Sequence, residues 1–539
     1  MIFARSGLAA LFLVVAALPT DIPAGAAAPP LDAPARVQRL DAPGLPPRWL
    51  DDGQALAREA LGLLADAGSH GLDPALYGTA TLARRLEAAD PADIGFERDL
   101  GAAVLRYLAD LHGGRTASPY RTGPPADGFD PAAALRRALD AGRVATAVAS
   151  AAPAIVLYGR VRETLARYRL LAQEHPSWPP LPAGGAAPAA AAEALRERLR
   201  TLGDLEDGAE GDGAGEADGA ALAAALRRFQ SRHGLEQDGV LGPATRAALA
   251  VPPARRAVQL ALTLERLRWL PPLHGRVIAV NVPAYRLWAF DGVPGGPPVL
   301  EMRVIVGKAA GTPTPLFLGQ MRYLEFNPYW NVPHSIAGAE IAPKLARDPG
   351  WLRRNDMELV TADGRVLAAA GADAPAALRA GSLRVRQRPG ARNVLGAVKF
   401  AMPNPMNIYL HSTAARELFA RSRRDLSHGC IRVEDAAGLA RFVLADPQRW
   451  DAERVAAAMR PGPSRTVALA VPVPVVLFYA TAVADRHGRA LFADDIYGRD
   501  AALLRALGGG GPARTIEPTQ TERSTTAHDG RFMIEGEVR

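Results

Sequence analysis

Cysteine is almost absent from this sequence, because Cys430 is the only one among 539 residues. A single cysteine cannot form an internal disulfide, and it cannot supply both halves of a CxxC metal knuckle. Cys430 is therefore a buried inert thiol, a surface thiol or a nucleophile. Two histidines favour the nucleophile, since His428 lies on the same short segment and His411 lies upstream.

Lysine and aromatic residues are also scarce. Aromatic residues make up 6% of the chain, and only Lys308, Lys344 and Lys399 among the 63 basic residues are lysine. These three lysines lie near the densest motifs, which indicates positions where arginine could not replace lysine. The net charge of +7 would suit an acidic partner, but no Lys/Arg-rich stripe interleaved with aromatic side chains is present. We therefore expect no nucleic-acid partner.

The apolar run near the N-terminus is short. It extends from Leu8 to Leu18, which is 11 residues, whereas a bilayer-spanning helix needs about 20. Arg5 precedes the run, and Ala-x-Ala sites follow over 24–28. This pattern predicts a cleaved secretory signal over residues 1–28, with an uncleaved anchor as the alternative. An exported protein with one cysteine does not rely on disulfides.

Helical periodicity follows a Pro-rich leader and predicts a helical scaffold domain over 29–189. Apolar residues recur at helical spacing in four segments. These segments are 55–64, 100–111, 132–139 and 156–172. A Pro/Gly/Ala-rich stretch over 176–188 then indicates a linker.

A smaller helical module is predicted over 190–252. It contains Phe229-Gln230, Gly234-Leu235, Asp238-Gly239 and Thr245, after an acidic, Gly-rich insertion that we expect to be a flexible loop. This spacing resembles the three-helix peptidoglycan-binding module. The long insertion departs from the usual compact form of that module. The resemblance therefore supports the predicted fold more strongly than it supports glycan binding.

From Arg276 the apolar period changes from 3.6 to 2, which predicts a mainly β, sandwich-like or barrel-like domain over 253–506. Strands are expected at 277–282, 285–290, 302–306, 322–326, 398–402, 408–411 and 473–484. The segment 333–393 lies between two strand groups and is predicted to cap one end of the sheet. Residues 507–539 are Gly-rich and then polar, and are expected to be disordered. The fold class is multidomain α+β.

The two motifs around His411 and Cys430 fit acyl transfer. That chemistry needs a nucleophile, a base and donors for the developing oxyanion. If His411 ends one strand and Cys430 lies on the next strand-to-helix turn, the two side chains can meet. An adjacent imidazole and a following helix N-terminus would then favour the thiolate. The amides of Gly429 and Cys430 are the natural oxyanion donors.

His411, followed after fifteen residues by Ser427-His428-Gly429-Cys430, resembles the active-site signature of L,D-transpeptidases with a YkuD-type catalytic domain. Further segments resemble the large periplasmic subclass, which has a scaffold and a peptidoglycan-binding domain. They lie at 71–74, 111–115, 304–308, 312–315, 327–333, 393–400, 403–405 and 496–500. The resemblance covers nearly all of the chain after the signal segment, except the tail.

The resemblance implies a two-step reaction on peptidoglycan. Cys430 attacks the carbonyl of the third stem residue, D-Ala leaves, and a thioester remains. A side-chain amine of another stem then attacks the thioester and forms a 3→3 cross-link. His411 would be the base, oriented through the carbonyl of Ser412, and His428 would flank the thiol. Carbapenems are expected to acylate Cys430.

Other residues are candidates for substrate binding. They are Arg432, Tyr409, Ser427, Trp330 and Asn331. The family pattern often has Asn where Arg432 stands, so Arg432 either holds a substrate carboxylate or pairs with a local acid such as Glu434. Tyr409 and Trp330 are as consistent with core packing as with a groove. His411, His428 and Cys430 are metal-ligand types, but no second cysteine or HExxH pattern supports a metal site, and no cofactor is expected.

Three functions remain open at this point. The first is a cross-linking transpeptidase, and the second passes the same thioester to water or to an envelope protein. The third is a wall-binding scaffold with an idle catalytic domain, which an intact His411–Cys430 pair disfavours. The expected partners are stem peptides and glycan strands, with other cell-wall synthases as candidates. The expected location is the periplasm, and membrane contact is expected only through an uncleaved signal segment.

Overall fold

The computed structural model describes residues 48–88, 93–116, 128–182, 188–206, 216–292 and 297–508. The predicted signal segment, most of the acidic insertion and the tail from 509 onward lie outside this part of the chain. Within the described residues, no helix combines the length and the apolar character that crossing a membrane requires.

The N-terminal region is a bundle of helices around one apolar core. The helices are α1 (Asp51–Ala65), α2 (Thr79–Glu87), α3 (Ile94–Gly113), α4 (Pro131–Asp140), α5 (Ala145–Ala151) and α6 (Val156–Glu174). The four predicted helical segments are confirmed as α1, α3, α4 and α6. Asp93 and Asp130 cap α3 and α4, because their side chains accept hydrogen bonds from the first free amides of those helices.

The second helical module consists of three helices, α7 (Pro188–Thr201), α8 (Glu216–Arg232) and α9 (Pro243–Leu249). The side chain of Gln230 is 1% exposed and organises the turn between α8 and α9. Its amide nitrogen lies 2.7 Å from Asp238 Oδ1 and 3.1 Å from Thr245 Oγ1, and the N–H of Gly239 donates to its oxygen at 2.9 Å. The signature residues of this module therefore hold its own fold together.

Helix α10 (Pro253–Arg268) follows and packs against α6 in the core of the N-terminal bundle. Two glycines with positive φ allow this approach, Gly71 and Gly114. A Cβ atom would lie 3.2 Å from the Cα of Ala261 at Gly71 and 2.8 Å from Glu265 Oε1 at Gly114. The predicted boundary at 253 stays a prediction, because α10 shares the core of the preceding helices.

The C-terminal half is built on a large mixed sheet. Its strands are β1 (Gly275–Asn281), β2 (Arg286–Gly292), β3 (Leu300–Gly307), β4 (Phe317–Phe326), β5 (Trp330–Asn331), β6 (Met357–Val360), β7 (Arg384–Gln387), β8 (Val398–Ala401), β9 (Leu410–His411), β10 (Asp425–Ser427), β11 (Ile431–Val433), β12 (Arg465–Phe478), β13 (Ala482–Ala484) and β14 (Ala490–Phe492). The helices among them are α11 (His334–Ile336), α12 (Ala342–Arg347), α13 (Trp351–Arg354), α14 (Ala374–Ala380), α15 (Ala436–Leu444), α16 (Ala452–Ala458) and α17 (Arg499–Ala506).

Nine strands form the main sheet in the order β10-β3-β11-β9-β8-β4-β12-β1-β2, and β2 also pairs with β3. This additional pairing closes the sheet on itself, so the barrel-like form of the prediction describes it better than an open sandwich. The predicted strand 473–484 is interrupted, because the side chain of Asn281 makes two 2.9 Å hydrogen bonds to the backbone of Ala480. The chain then continues as the β13–β14 hairpin.

The segment predicted to cap the sheet is a small subdomain with its own core. It contains α11 to α14 and a three-stranded sheet in the order β5-β7-β6. Asn393 closes its base, since its side-chain nitrogen donates to Pro328 O at 3.0 Å and to Arg388 O at 2.9 Å. Trp330 and Val332 lie in its apolar core, and Tyr409 of the main sheet packs against that core.

The C-terminal hairpin also contacts the small helical module. The ring of Phe229 stacks on His233 at 3.8 Å between centroids, and His233 lies 5.4 Å from Phe492 of β14. Arg256 of α10 lies 4.4 Å from the ring of Phe492. The module thus contacts the hairpin through His233, which stacks on the signature phenylalanine Phe229.

We predict that Gln230→Ala loosens the small module without unfolding the remainder. The change removes the hydrogen bonds of Gln230 to Asp238, Gly239 and the buried Thr245, which costs about 2 kcal/mol. Amide hydrogen exchange in α8 and α9, resolved by mass spectrometry, should accelerate about 30-fold. Gln237→Ala is the matched control, because Gln237 is exposed on the neighbouring turn. Equal exchange in both variants would contradict the role given to Gln230.

Candidate active site

Cys430 lies directly before β11, which runs parallel to β9. In this pairing Ile431 is opposite Leu410 and Arg432 is opposite His411. The amide of Ile431 donates to Tyr409 O at 3.1 Å. The structure therefore brings the two predicted motifs onto neighbouring strands.

The position of Cys430 differs from the expected strand-to-helix turn. Strand β11 intervenes, and α15 begins only at Ala436, with the side chain of Asp435 accepting the Gly438 amide at its N-terminus. Since the helix dipole acts over about one turn, α15 does not stabilise a thiolate at Cys430. The expectation of a helix-activated thiol was wrong because the three residues after Cys430 pair with the sheet.

The thiol of Cys430 is held in its neutral form. Burial raises its pKa, and a backbone and a side-chain hydrogen bond from Tyr409 offset only part of that effect. The thiol also donates to the carbonyl of Asn407, with a sulfur–oxygen distance of 3.6 Å. The nucleophile is thus protonated before substrate arrives, which differs from the expected increase in thiolate.

His411 is buried, and its ring orientation is fixed. Its Nδ1 lies 2.6 Å from the carbonyl oxygen of Ser412. A carbonyl only accepts, so Nδ1 carries the proton and Nε2 remains an acceptor. Burial and the charge of Arg432 lower the pKa of His411 to about 3. The imidazole is therefore neutral at physiological pH, as a general base must be.

The side chain of Ser412 holds the strand that carries His411. Its hydroxyl accepts from the Val398 amide at 3.1 Å and donates to Leu395 O at 3.0 Å. Both partners lie at the end of the cap and the start of β8. The backbone carbonyl that orients His411 is therefore fixed by two buried hydrogen bonds.

A row of polar and charged side chains crosses the sheet at the site. The register places Arg432, His411, Lys399 and Glu325 opposite one another on β11, β9, β8 and β4. Directly opposed residues share a face of the sheet. Lys399 Nζ lies 3.1 Å from Glu325 Oε1 and 5.0 Å from the centroid of the Tyr409 ring.

Lys399 and Glu325 were missed as site residues by the sequence reasoning. The only signal was that Lys399 is one of three lysines, and pairing of Lys399 with Glu325 depends on the strand register. Glu434, the local acid considered above for Arg432, makes a bidentate contact with Arg303 on β3, and this contact lowers the pKa of the Glu434 carboxyl group.

The cap reaches the catalytic loop at two points. His428 Nε2 lies 2.8 Å from Glu340 Oε1 in the π-helical turn of the cap. The side chain of Trp330 is hydrogen bonded to Tyr409, whose hydroxyl is hydrogen bonded to Cys430. Trp330 is buried and Asn331 is exposed. His428 therefore faces the cap, while Tyr409 connects the cap to the thiol.

Ser427 and Gly429 shape the loop before the nucleophile. The hydroxyl of Ser427 donates to Cys430 O at 2.6 Å and accepts from the Gly429 amide at 3.1 Å. Ser427 is buried, so this geometry favours a role in the loop, and its substrate contact stays a prediction. Gly429 has φ +108°, a conformation that residues with side chains rarely adopt.

We predict that Cys430 is alkylated slowly at neutral pH. Because its pKa is raised and His411 is neutral, the thiolate appears only as pH rises above the ordinary cysteine range of about 8.5. The rate of iodoacetamide labelling should increase through that range, and the single cysteine makes intact mass a clean readout. The urea-unfolded chain is the control and should titrate near the ordinary value. A labelling plateau between pH 5 and 7 would show a preformed ion pair instead (roughly the range of activated thiols).

Three family models match separate parts of the chain. Residues 275–473 match the L,D-transpeptidase catalytic domain, YkuD. Residues 42–165 match the scaffold domain, and residues 189–249 match a family described as "putative peptidoglycan binding domain". The chain is also 33% identical over 245 residues to a protein of Haemophilus influenzae named "putative L,D-transpeptidase". That alignment covers 46% of this chain, which spans about half, 48%, of its relative.

Two solved structures share low similarity with the chain. An L,D-transpeptidase (Yku) from Stackebrandtia nassauensis has 13% identity and a TM-score of 0.21, covering 55% of this chain and 91% of that one. The L,D-transpeptidase from Xylanimonas cellulosilytica has 17% identity and a TM-score of 0.17, covering 56% and 100%. The chain therefore combines matches to three models, namely the YkuD L,D-transpeptidase catalytic domain over residues 275–473, a scaffold domain and a peptidoglycan-binding domain.

Proposed function

We propose that this protein is a peptidoglycan L,D-transpeptidase that forms 3→3 cross-links through a thioester on Cys430. The observation that carries the proposal is the parallel pairing of β9 with β11, which sets a buried, neutral His411 beside the segment of the only cysteine. The Nδ1 hydrogen bond to Ser412 leaves Nε2 as the acceptor for the thiol proton.

In the first step the sulfur of Cys430 attacks the carbonyl of the third stem residue while His411 Nε2 takes the thiol proton. Proton removal is coupled to attack, because burial disfavours a free thiolate. The amide of Cys430 stabilises the oxyanion. The Gly429 amide joins it only if the Ser427 hydroxyl releases that N–H. The intermediate collapses as His411 returns the proton to the departing amino group of D-Ala.

In the second step the side-chain amine of an acceptor stem attacks the thioester. His411 removes a proton from this amine, the new amide forms, and the proton passes to the departing sulfur. The thiol is regenerated, and one stem is linked to the other. Such a covalent intermediate divides the exchange of one amide for another into two easier steps.

Substrate contacts are proposed for the polar face of the sheet and for the cap. Arg432 lies opposite His411 and is suited to a substrate carboxylate, and the Tyr409 ring lies 5.8 Å from the His411 ring. The exposed Asn331 of the cap is a further candidate. Trp330 is buried in the core of the cap and supports Tyr409. The contact between His428 and Glu340 joins the cap to the catalytic loop, so stem binding requires this contact to adapt.

The domain composition supports action at the cell wall. A peptidoglycan-binding domain in the same chain would hold the enzyme near glycan strands, and the predicted signal over 1–28 would deliver it to the periplasm. Cell-wall synthases are candidate partners in that compartment.

Incubation of the purified protein with disaccharide-tetrapeptide tests the proposed reaction. Mass spectrometry should show free D-Ala and a cross-linked dimer. Tripeptide and D-Ala without dimer would instead show an L,D-carboxypeptidase. Cys430→Ala should abolish both products, and full activity in that variant would overturn the proposal. No product from the wild type would support an idle scaffold.

His411→Gln tests the base. Loss of a positioned base lowers the rate by about 10²–10⁴-fold. The matched control is His274→Gln, which makes the same chemical change at an exposed residue just before β1, away from the site. A rate within twofold of the wild type (about the scatter of such assays) in His411→Gln would remove His411 from the mechanism, since a base contributes far more.

We also predict that carbapenems acylate the protein at Cys430. The β-lactam carbonyl would replace the stem carbonyl, the ring amide bond would break, and the intact drug mass would remain as a thioester. Intact-protein mass spectrometry after exposure should show one adduct, which is absent in Cys430→Ala. An unchanged mass in the wild type would contradict the prediction.

A further inference from the structure

Two sequence motifs have no role in the reaction described above, residues 312–315 and residues 496–500. The structure brings them together behind the catalytic loop. Thr314 is fully buried, and its hydroxyl has two backbone partners. It donates to Gly429 O at 2.8 Å and accepts from the Gly307 amide at 2.8 Å. Thr314 thus bridges β3 to the residue before the nucleophile.

The bond from Thr314 to Gly429 has a geometric consequence for Cys430. The carbonyl of Gly429 and the amide of Cys430 belong to one peptide unit, which is planar and trans. Its C=O and N–H groups therefore point in opposite directions. Fixing the Gly429 carbonyl on Thr314 aims the Cys430 N–H, the proposed oxyanion donor, away from Thr314.

The hydroxyl of Tyr497 holds Gly307 and Thr314 together through two further hydrogen bonds. It donates to Gly307 O at 2.5 Å and accepts from the Thr314 amide at 3.1 Å. Gly307 has no space for a side chain, because a Cβ atom would overlap the backbone of Thr312 and lie 2.9 Å from the Cα of Gly429. Gly307, Thr314, Gly429 and Tyr497 therefore form a close-packed clamp, here named the loop clamp.

The tyrosine comes from outside the matched catalytic domain, which ends at residue 473. Its own position is fixed by buried polar contacts. The amide of Tyr497 donates to the Tyr479 hydroxyl at 3.0 Å, and that hydroxyl donates to Asp495 at 2.5 Å. Asp500 then pairs with Arg266 of α10 at 2.6 Å. The C-terminal segment thus connects the catalytic loop to the helix beneath it.

We propose that Thr314 and Tyr497 are positioning residues that set the direction of the Cys430 amide for oxyanion binding. Neither touches the reacting atoms, since both act through the backbone of Gly307 and Gly429. The proposal rests on the proposed acyl transfer at Cys430. It predicts that disturbing the loop clamp lowers the rate of the chemical step and leaves substrate affinity and the ionisation of the thiol unchanged.

The first test compares Thr314→Val with Thr314→Ser. Valine keeps the shape but loses both hydroxyl bonds, whereas serine keeps them. Thr314→Val should lower kcat at least about tenfold, part of the 10²–10³-fold effect of removing a whole oxyanion donor. In Thr314→Val, KM for the donor stem and the pH profile of Cys430 alkylation should stay as in the wild type. Thr314→Ser should retain the wild-type kcat. A kcat within twofold of the wild type in Thr314→Val (about experimental scatter) overturns the proposal. A kcat in Thr314→Ser as low as that of Thr314→Val overturns it as well.

The second test uses Tyr497→Phe, with Tyr77→Phe as its control. Tyr77 is buried in the helical bundle, and its hydroxyl donates to Asp110 at 3.1 Å, so the control loses a comparable bond far from the loop. Tyr497→Phe should lower kcat about tenfold with KM unchanged, and Tyr77→Phe should affect thermal stability alone. Equal kcat in the two variants contradicts the role of Tyr497.

A third measurement separates this proposal from the proposed function. Hydrogen exchange of the peptide spanning 427–432 does not depend on substrate. It should accelerate in Thr314→Val and in Tyr497→Phe, while the peptide covering α15 stays unchanged. If the wild type turns over no stem peptide, the proposed function fails, and exchange alone decides whether the loop clamp orders the loop. Unchanged exchange at 427–432 in both variants overturns the proposal whatever the activity.

Discussion

The parallel pairing of β9 with β11 is the interaction on which the site depends. It is short, with Leu410 opposite Ile431 and His411 opposite Arg432. Short parallel ladders are weak alone, so this one requires support from both sides. Support comes from β8, from β3 and from the buried hydroxyl of Ser412. The apolar partners of the pair face the core, which leaves the polar partners on the face toward the cap.

The same environment decides how the thiol is activated. Burial raises the pKa of Cys430 and lowers that of His411, so it disfavours a thiolate–imidazolium pair. The charges of Lys399 and Arg432 offset only part of the effect on the thiol. The neutral pair is therefore the ground state. This neutral pair protects the thiol, because a protonated thiol reacts slowly with oxidants. His411 removes the thiol proton only when a substrate carbonyl is in place. This suits a cysteine that has no second thiol in the chain with which to form a disulfide.

The sequence predicted the architecture well where local patterns determine it. Helical periodicity identified α1, α3, α4 and α6, and the two motifs around His411 and Cys430 lie on neighbouring strands, as their pairing in one site requires. It failed where tertiary contacts decide. Strand β11 replaced the expected helix start because residues 431–433 pair with β9 and β3, and the interruption at Ala480 depends on Asn281, far away in the chain. Lys399 and Glu325 became site neighbours only through strand register.

The C-terminal hairpin has a consequence for the order in which the molecule is assembled. Residues 479–500 are made after every strand of the main sheet, yet they supply Tyr497 behind the nucleophile loop and Phe492 against the small helical module. The cysteine and its base are therefore synthesised well before the loop between them is held in its final shape. A nascent chain that has been synthesised only as far as β12 contains Cys430 and His411. It still lacks Tyr497, which orders the loop before the nucleophile.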